Sequence, residues 1–385
     1  MKYLVDIFRK NKGRCTPISI NYENMFPTNI SIANHNGDPI YSIRFTNYCY
    51  IPFGGFDRIS IVPNSGTVSD TILWSTQIHP IKLRGINNPL FGSTFKGLED
   101  LRLVSWNGTL YGIGYRPDIQ EGRVMPQLVE FGDNMELKRT WFLDTGSKSE
   151  KNWQPIEGHP FTFIYSPATG SLLHLEPEKL VPSSNPNLPS TINKISVPNF
   201  DSSISGSSQL VQLSNGQYIS ICHASNREID YGGYFRWNYS HFFVVYNQDL
   251  QRIAISCPFK FLESEVEFVT GMSRVGSNIH ITFSINDGMV HELVIPEDRF
   301  MEVLGRLLED DQELEGPAPH TYMVEAFESG KIIGVDQFTY IGWLECANAL
   351  NDISSIDSII DNIGAPDWYK TYMKNYITTH HLNKH

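Results

Sequence analysis

The sequence has no long hydrophobic run and no targeting segment. No stretch reaches the length of a membrane span, and residues 1–10 lack the continuous apolar core and the cleavage site of a signal peptide. These absences predict a cytoplasmic protein without membrane insertion.

The sequence also lacks closely spaced cysteine pairs and an excess of basic residues. The five cysteines are scattered without a C-x-x-C pair, which predicts reduced thiols rather than a disulfide framework or a zinc site. The net charge of −12 argues against nucleic acid as the main partner, because a nucleic-acid backbone needs a basic face. We expect no metal and no cofactor.

The strongest positive signal is a repeated unit of an apolar strand, a turn and a second apolar strand. Asn-Gly pairs at 36–37, 107–108 and 215–216 are flanked by alternating residues and predict β-hairpins. Five such units cover residues 29–46, 99–115, 159–175, 207–223 and 267–287.

The length of the repeat predicts the fold class. The units recur at roughly 50 to 70 residues, which is the size of a propeller blade with variable connections. We therefore predict an all-β protein with a five-bladed β-propeller as the catalytic domain over residues 1–296. A β-sandwich is the alternative, because short strands joined by turns also form sandwiches.

The pattern changes after Pro296. Apolar residues at helical spacing predict a helix over 297–313, and further helices are predicted over 343–363 and 366–380. Residues 297–385 are thus a mainly helical C-terminal extension. Two interpretations stay open: these helices brace the propeller, or they form a homo-oligomer contact.

Polar residues recur at the ends of the predicted inner hairpins, and a propeller would bring these ends to one axis. Carboxylates there could transfer protons, while amides and cations could bind sugar hydroxyls or an anionic leaving group. The catalytic candidates are Asp100, Glu99 and Asp287. The substrate-binding candidates are Asn29, Arg44, Asn47, Arg102, Lys151, Asn152 and His223.

Each candidate also has an ordinary structural interpretation. Glu99 and Asp100 could form a solvated turn, and Asp287 precedes a glycine as in a hairpin turn. Arg102 is either a buried ion-pair partner or an anion ligand, and His223 is more often a hydrogen-bonded core residue than a catalyst.

The segment Glu99-Asp100-Leu101-Arg102 resembles the Glu-Asp-Pro-Arg motif of glycoside hydrolase family 130. That group contains mannoside phosphorylases, β-1,2-mannosidases and related five-bladed propeller mannosyltransferases. The resemblance covers roughly residues 25–296. It implies that Asp100 is the general acid and that the other matched candidates contact sugar hydroxyls or the leaving group.

Two departures from the family bear on the reaction. Leu101 replaces the proline, and Tyr165-Ser166-Pro167 stands where phosphorylases place an arginine that binds phosphate. Segment 150–153, among others, resembles a divergent branch found with glycan-assembly enzymes. We therefore predict an inverting glycosyltransferase for mannose-like sugars in glycan assembly.

Two alternatives stay open: a β-mannoside hydrolase or phosphorylase, and a propeller that binds glycan without turnover. The expected ligand is a sugar or oligosaccharide, with a nucleotide sugar as the candidate donor.

Overall fold

The structure is a computed structural model. It describes residues 2–18, 20, 22, 25–50, 58–60, 68–75, 78–82, 87–90, 93–96, 98–118, 123–146, 150–182, 192–196, 204–229, 235–262, 266–285, 287–309 and 371.

Most of the described chain is β-strand. The elements up to residue 96 are β1 (Lys2–Tyr3), α1 (Leu4–Lys10), β2 (Arg14–Pro17), β3 (Phe26–His35), β4 (Asp38–Thr46), β5 (Tyr48–Tyr50), β6 (Arg58–Ser60), β7 (Val68–Ser75), β8 (Ile78–Lys82), β9 (Asn87–Leu90) and β10 (Ser93–Lys96). The next strands are β11 (Glu99–Trp106), β12 (Thr109–Asp118), β13 (Arg123–Phe131), β14 (Leu137–Asp144), β15 (Gln154–Pro155), β16 (Thr162–Ser166), β17 (Ser171–His174) and β18 (Ile192–Lys194). The last elements are β19 (Ser205–Gly206), β20 (Val211–Gln212), β21 (Tyr218–Ile229), β22 (Phe235–Tyr246), β23 (Arg252–Ile255), β24 (Phe259–Lys260), β25 (Glu267–Val275), β26 (Asn278–Ile285), β27 (Met289–Pro296) and α2 (Glu297–Leu308).

Five sheets of three or more strands follow one another along the described chain. The first sheet has the order β3-β4-β7-β10-β9, with β8 paired to β7, and the second has the order β11-β12-β13-β14-β18. The third is β15-β16-β17. The fourth is β1-β24-β22-β21-β19 with β20 and β23 at its side, and the fifth is β2-β27-β26-β25. The all-β prediction is therefore confirmed.

All five predicted hairpins are present. Each of the five sheets contains one of them as an antiparallel strand pair, and the turns at Asn36-Gly37 and Asn107-Gly108 connect β3 to β4 and β11 to β12. In both turns the asparagine and the glycine have positive φ, which Asn and Gly adopt more readily than other residues.

The five sheets contact one another in cyclic order. β3 packs against β11, β11 against β15, β16 against β19, β20 against β25, and β25 against β3. Hydrogen bonds between a side chain and a backbone group link each neighbouring pair. These bonds are Leu103 N to Ser31 Oγ, Trp106 Nε1 to Ile156 O, Gln154 Nε2 to Ser208 O, Met272 N to Gln209 Oε1, and Thr282 Oγ1 to Ile30 O.

The helix α2 begins at the predicted residue and ends at Leu308, five residues before the predicted end. Its apolar face is buried, and Phe300 packs edge-on against Phe8 of α1 and Phe243 of β22. The predicted helices over 343–363 and 366–380 lie outside the described residues except for Thr371, which is helical. The domain boundary between residues 296 and 297 stays a prediction.

None of the helices in the described ranges is both long and apolar enough to cross a membrane.

Candidate functional site

Two β-bulges place Asn29 and Asp100 at the start of neighbouring hairpins. The register of β3 against β4 shifts between Thr28 and Ser31, and the register of β11 against β12 shifts between Glu99 and Arg102. The extra residues adopt left-handed backbone conformations, with φ of 44° at Asn29 and 51° at Asp100. Asn and Asp tolerate this conformation better than most residues, and bulges often redirect side chains next to functional sites.

A short hydrogen bond joins the two bulged residues. Asn29 Nδ2 donates to Asp100 Oδ1 across 2.5 Å, and both side chains are buried. Thr28 Oγ1 lies 3.1 Å from Asn29 Oδ1 and 3.0 Å from Asp287 Oδ1. The predicted convergence of Asn29, Asp100 and Asp287 is thus observed, with Thr28 connecting the last of them to the other two.

Two cations lie beside these carboxylates. Arg44 Nη1 is 3.6 Å from Glu99 Oε1 and 4.0 Å from Asp100 Oδ1, while Lys151 Nζ is 3.2 Å from Glu99 Oε1. Glu99 comes from the second sheet, Arg44 from the first, and Lys151 from the segment before the third. The site therefore holds residues that are distant in sequence, as the repeat predicts.

The charges at Glu99 and Lys151 stabilise each other. Burial alone would raise the pKa of Glu99, but the nearby positive charges of Arg44 and Lys151 outweigh it and lower that pKa. Burial opposes the charge on Lys151, yet the carboxylates of Glu99 and Asp100 raise its pKa. Both side chains are accordingly ionised at neutral pH.

Asp287 behaves in the opposite way. Burial raises the pKa of its carboxyl group, and the negative charges of Asp100 and Glu99 raise it further, although Arg44 and a bond donated by Thr28 would lower it. Its backbone is also left-handed, with φ of 48°. Within one site the environment therefore lowers the pKa of Glu99 and raises the pKa of Asp287.

Arg102 is fully buried, and its guanidinium group donates hydrogen bonds to other groups of the protein. Its Nη1 donates to the carbonyl oxygen of Asp100 across 3.1 Å, and its Nη2 donates to Asn152 Oδ1 across 3.1 Å. Its Nε donates to Ser207 O across 2.5 Å, and Nη2 also reaches Gly206 O. These contacts hold the backbone of Asp100, while the substrate contact expected of Arg102 stays a prediction.

The side chain of Glu150 holds the segment before β15 in place. This buried carboxylate accepts hydrogen bonds from Trp153 Nε1 across 3.2 Å and from Tyr165 Oη across 3.0 Å. The backbone N–H of Trp153 also donates to Tyr115 Oη across 2.7 Å. Asn152 takes a left-handed conformation with φ of 71°, so this segment presents Lys151 beside Glu99.

His223 is a neutral, buried histidine on β21. Burial and the charge of Arg102 lower its pKa to about 3. Its Nδ1 lies 2.7 Å from Ser207 Oγ, and its ring contacts the rings of Tyr239 and Phe268. These contacts are those of a hydrogen-bonded core histidine. A sugar contact at His223 stays a prediction.

Asn47 directly follows β4 and is buried, and its role in substrate binding also stays a prediction.

Thr28, Glu150 and Ser207 are residues of this site that were not among the candidates predicted from the sequence. Thr28 lies in a strand, where threonine is an ordinary residue, and its position next to Asn29 is the only signal that could have identified it. Among the described residues, no group of three or more His, Cys, Asp or Glu side chains could hold a metal ion.

No protein-family model matches the chain, and a comparison with curated proteins finds no match. Solved structures do match it. One is a mannose phosphorylase from Leishmania mexicana in complex with phosphate ion, at 12% identity and a TM-score of 0.42, covering 73% of this chain and 87% of that one. A second is a GDP-Man-dependent mannosyltransferase from Leishmania mexicana, at 14% identity and a TM-score of 0.44, covering 74% and 89%.

A third is a β-1,2-mannobiose phosphorylase from Listeria innocua, in complex with β-1,2-mannobiose. Its identity is 12% and its TM-score 0.43, with 80% of this chain and 99% of that one covered. A further matching structure comes from the GH130 family of mannoside phosphorylases, at 10% identity and a TM-score of 0.41. The matching structures thus include mannoside phosphorylases and a mannosyltransferase.

Proposed function

We propose that the chain is a five-bladed β-propeller enzyme that transfers a mannose-like sugar with inversion, with Asp100 as the proton-transfer residue. The observation that carries the proposal is the convergence of Glu99, Asp100, Arg44 and Lys151 from three successive parts of the chain, each with an opposite charge of this group within 4.0 Å. The cyclic contacts of the five sheets support the propeller.

In this reaction Asp100 accepts the proton of the acceptor hydroxyl, directly or through a sugar hydroxyl. The acceptor oxygen forms its bond to the anomeric carbon as the bond to the leaving group breaks on the opposite face, which inverts the configuration. The amide of Asn29 holds Asp100 in place, and the part-exposed Lys151 meets the anionic leaving group. Asn47, Asn152, His223 and Asp287 orient the sugar.

Hydrolysis of a β-mannoside is the second candidate, and one departure from the resembled family favours it over phosphorolysis. Tyr165-Ser166-Pro167 stands where phosphorylases place an arginine that binds phosphate. In hydrolysis Asp100 would donate its proton to the leaving oxygen instead of accepting one.

Product analysis distinguishes these reactions. The purified protein is incubated with β-linked oligomannosides alone, with inorganic phosphate, and with a nucleotide-activated mannose, and the anomeric configuration of each product is determined by NMR. A new mannoside that forms only with the nucleotide sugar supports transfer. Free mannose without phosphate supports hydrolysis, and mannose 1-phosphate supports phosphorolysis. Glycan binding without any product would overturn both candidates and leave a glycan-binding propeller.

A further inference from the structure

Tyr115 connects the two partners of the ion pair between Glu99 and Lys151. On β12 it lies directly opposite Glu99 in the register of the second sheet. Its side chain is buried, and its hydroxyl oxygen accepts a hydrogen bond from the backbone N–H of Trp153 across 2.7 Å. Two residues before Trp153, the side chain of Lys151 returns to Glu99 Oε1 across 3.2 Å. These contacts close a ring that joins the second sheet to the segment before the third.

The guanidinium group of Arg102 lies over the aromatic ring of Tyr115. Its central carbon is 5.7 Å from the ring centroid, a distance at which a cation is attracted to an aromatic face. The same group donates to the carbonyl oxygen of Asp100 and to Asn152 Oδ1, each across 3.1 Å. The ring of Tyr115 thus contacts the arginine that holds the bulge, while its hydroxyl holds the segment that carries Lys151.

Residues 151–153 depend on such side-chain contacts, because they belong to no strand. Asn152 has a left-handed backbone with φ of 71°, which residues other than glycine adopt at a cost in free energy. Without the hydroxyl of Tyr115, the buried N–H of Trp153 would lose this acceptor, and an unsatisfied buried donor is costly. The segment would then rearrange and carry Lys151 with it.

We propose that Tyr115 is a positioning residue, which places the ammonium group of Lys151 against the carboxylate of Glu99. Because Tyr115 is buried, it acts through these residues and does not meet the substrate. The inference rests on the proposed function, in which Lys151 meets the anionic leaving group. The place of that cation beside the bulge of Asp100 determines where a leaving group can bind.

The charges around Lys151 give its position a measurable signature. Burial would lower the pKa of Lys151, but the carboxylates of Glu99 and Asp100 raise it, against the positive charge of Arg44. An ammonium group that moves away from Glu99 into solvent loses this stabilisation. Its pKa should therefore fall toward the ordinary value of about 10.4.

The test measures the pKa of Lys151 in the full chain by competitive acetylation with acetic anhydride across a pH series, followed by mass spectrometry of the peptide that contains it. Tyr115→Phe removes one hydroxyl and should lower this pKa, so that Lys151 is acetylated faster at neutral pH. Tyr111→Phe is the matched control four residues earlier on β12, since the Tyr111 ring packs against Trp106 and Phe161. It should change neither quantity.

A second substitution separates positioning from a general loss of stability. Glu99→Gln removes the opposite charge and should lower the pKa of Lys151 by itself. The double variant Tyr115→Phe/Glu99→Gln should show little further fall, because both changes act on one ion pair. Two falls that simply add would show that Tyr115 affects Lys151 by another route.

Two outcomes would overturn the inference. One is an unchanged pKa of Lys151 in a Tyr115→Phe protein whose circular dichroism is that of the wild type. The other is an unchanged pKa in Glu99→Gln, which would remove the ion pair whether or not Tyr115→Phe folds. Acetylation needs no turnover, so a protein that releases no product can still show both falls, and an active enzyme can lack them.

Discussion

Arg102 donates a hydrogen bond from Nη1 to the carbonyl oxygen of Asp100, two residues earlier in the same strand, across 3.1 Å. The bond spans the β-bulge that turns the Asp100 side chain toward Asn29. Arg102 also donates to the carbonyl oxygen of Ser207, which lies between β19 and β20 of the fourth sheet. Its guanidinium group thus connects the bulge to a distant part of the chain. The arginine of the motif therefore fixes the backbone that carries the carboxylate.

Replacing the carboxylate itself tests its role in catalysis. We expect Asp100→Asn to lower turnover by about 10²–10⁴-fold, since an amide cannot exchange the proton, while the fold is retained. Steady-state rates with the substrate identified by product analysis, together with thermal unfolding, measure the two effects. Turnover at the wild-type level would remove Asp100 from the mechanism.

Replacing Arg102 tests the support of the bulge. Arg102→Lys keeps a positive charge but cannot reach the separate carbonyl oxygens, so the free energy of unfolding should fall by about 3 kcal/mol. Arg299→Lys is the matched control, because Arg299 lies partly exposed on α2 beside Glu302 and should change stability by less than about 1 kcal/mol. Urea unfolding measures both, and equal effects would contradict the prediction.

The ion pairs of Glu99 predict a pH dependence. Its folded-state pKa is lowered, so its contribution to stability is present above its unfolded-state pKa, about 4.3, and is lost as the pH falls further. Glu99→Gln should therefore be less stable than the wild type at neutral pH, and the difference should shrink in acid. Urea unfolding across this range measures it, with the exposed Glu302→Gln as control. A difference that does not change with pH would show that the ion pairs contribute nothing.

His223 predicts a separate acid effect. Its folded-state pKa of about 3 lies below the unfolded value of about 6.5, so the unfolded state binds a proton first as the pH falls between these values. This costs about 1.4 kcal/mol of stability per pH unit, and His223→Gln should remove it. The exposed His174→Gln should leave the slope unchanged. If the free energy of unfolding of His223→Gln fell with decreasing pH as steeply as that of the wild type, His223 would be protonated in the folded state as well.

Local signals in the sequence predict the hairpins, and long-range contacts explain the rest. Asn36-Gly37 specifies its turn through its own backbone preferences, so that hairpin could be placed without knowing its neighbours. The two interpretations of Arg102 could not be decided in this way, because its partners at Gly206 and Ser207 are about 100 positions away. The bulge at Asp100 has no sequence signature of its own, since the extra residue is defined only by the pairing with β12.

The N-terminal strands have a consequence for how the chain can fold during synthesis. β1 pairs with β24 of the fourth sheet and β2 pairs with β27 of the fifth, so strands made early complete sheets made much later. The ribosome must therefore release almost the whole β-region before these strands find their partners. Consolidation of both sheets is a late, long-range event, and the N-terminal segment stays open to proteases and chaperones until then.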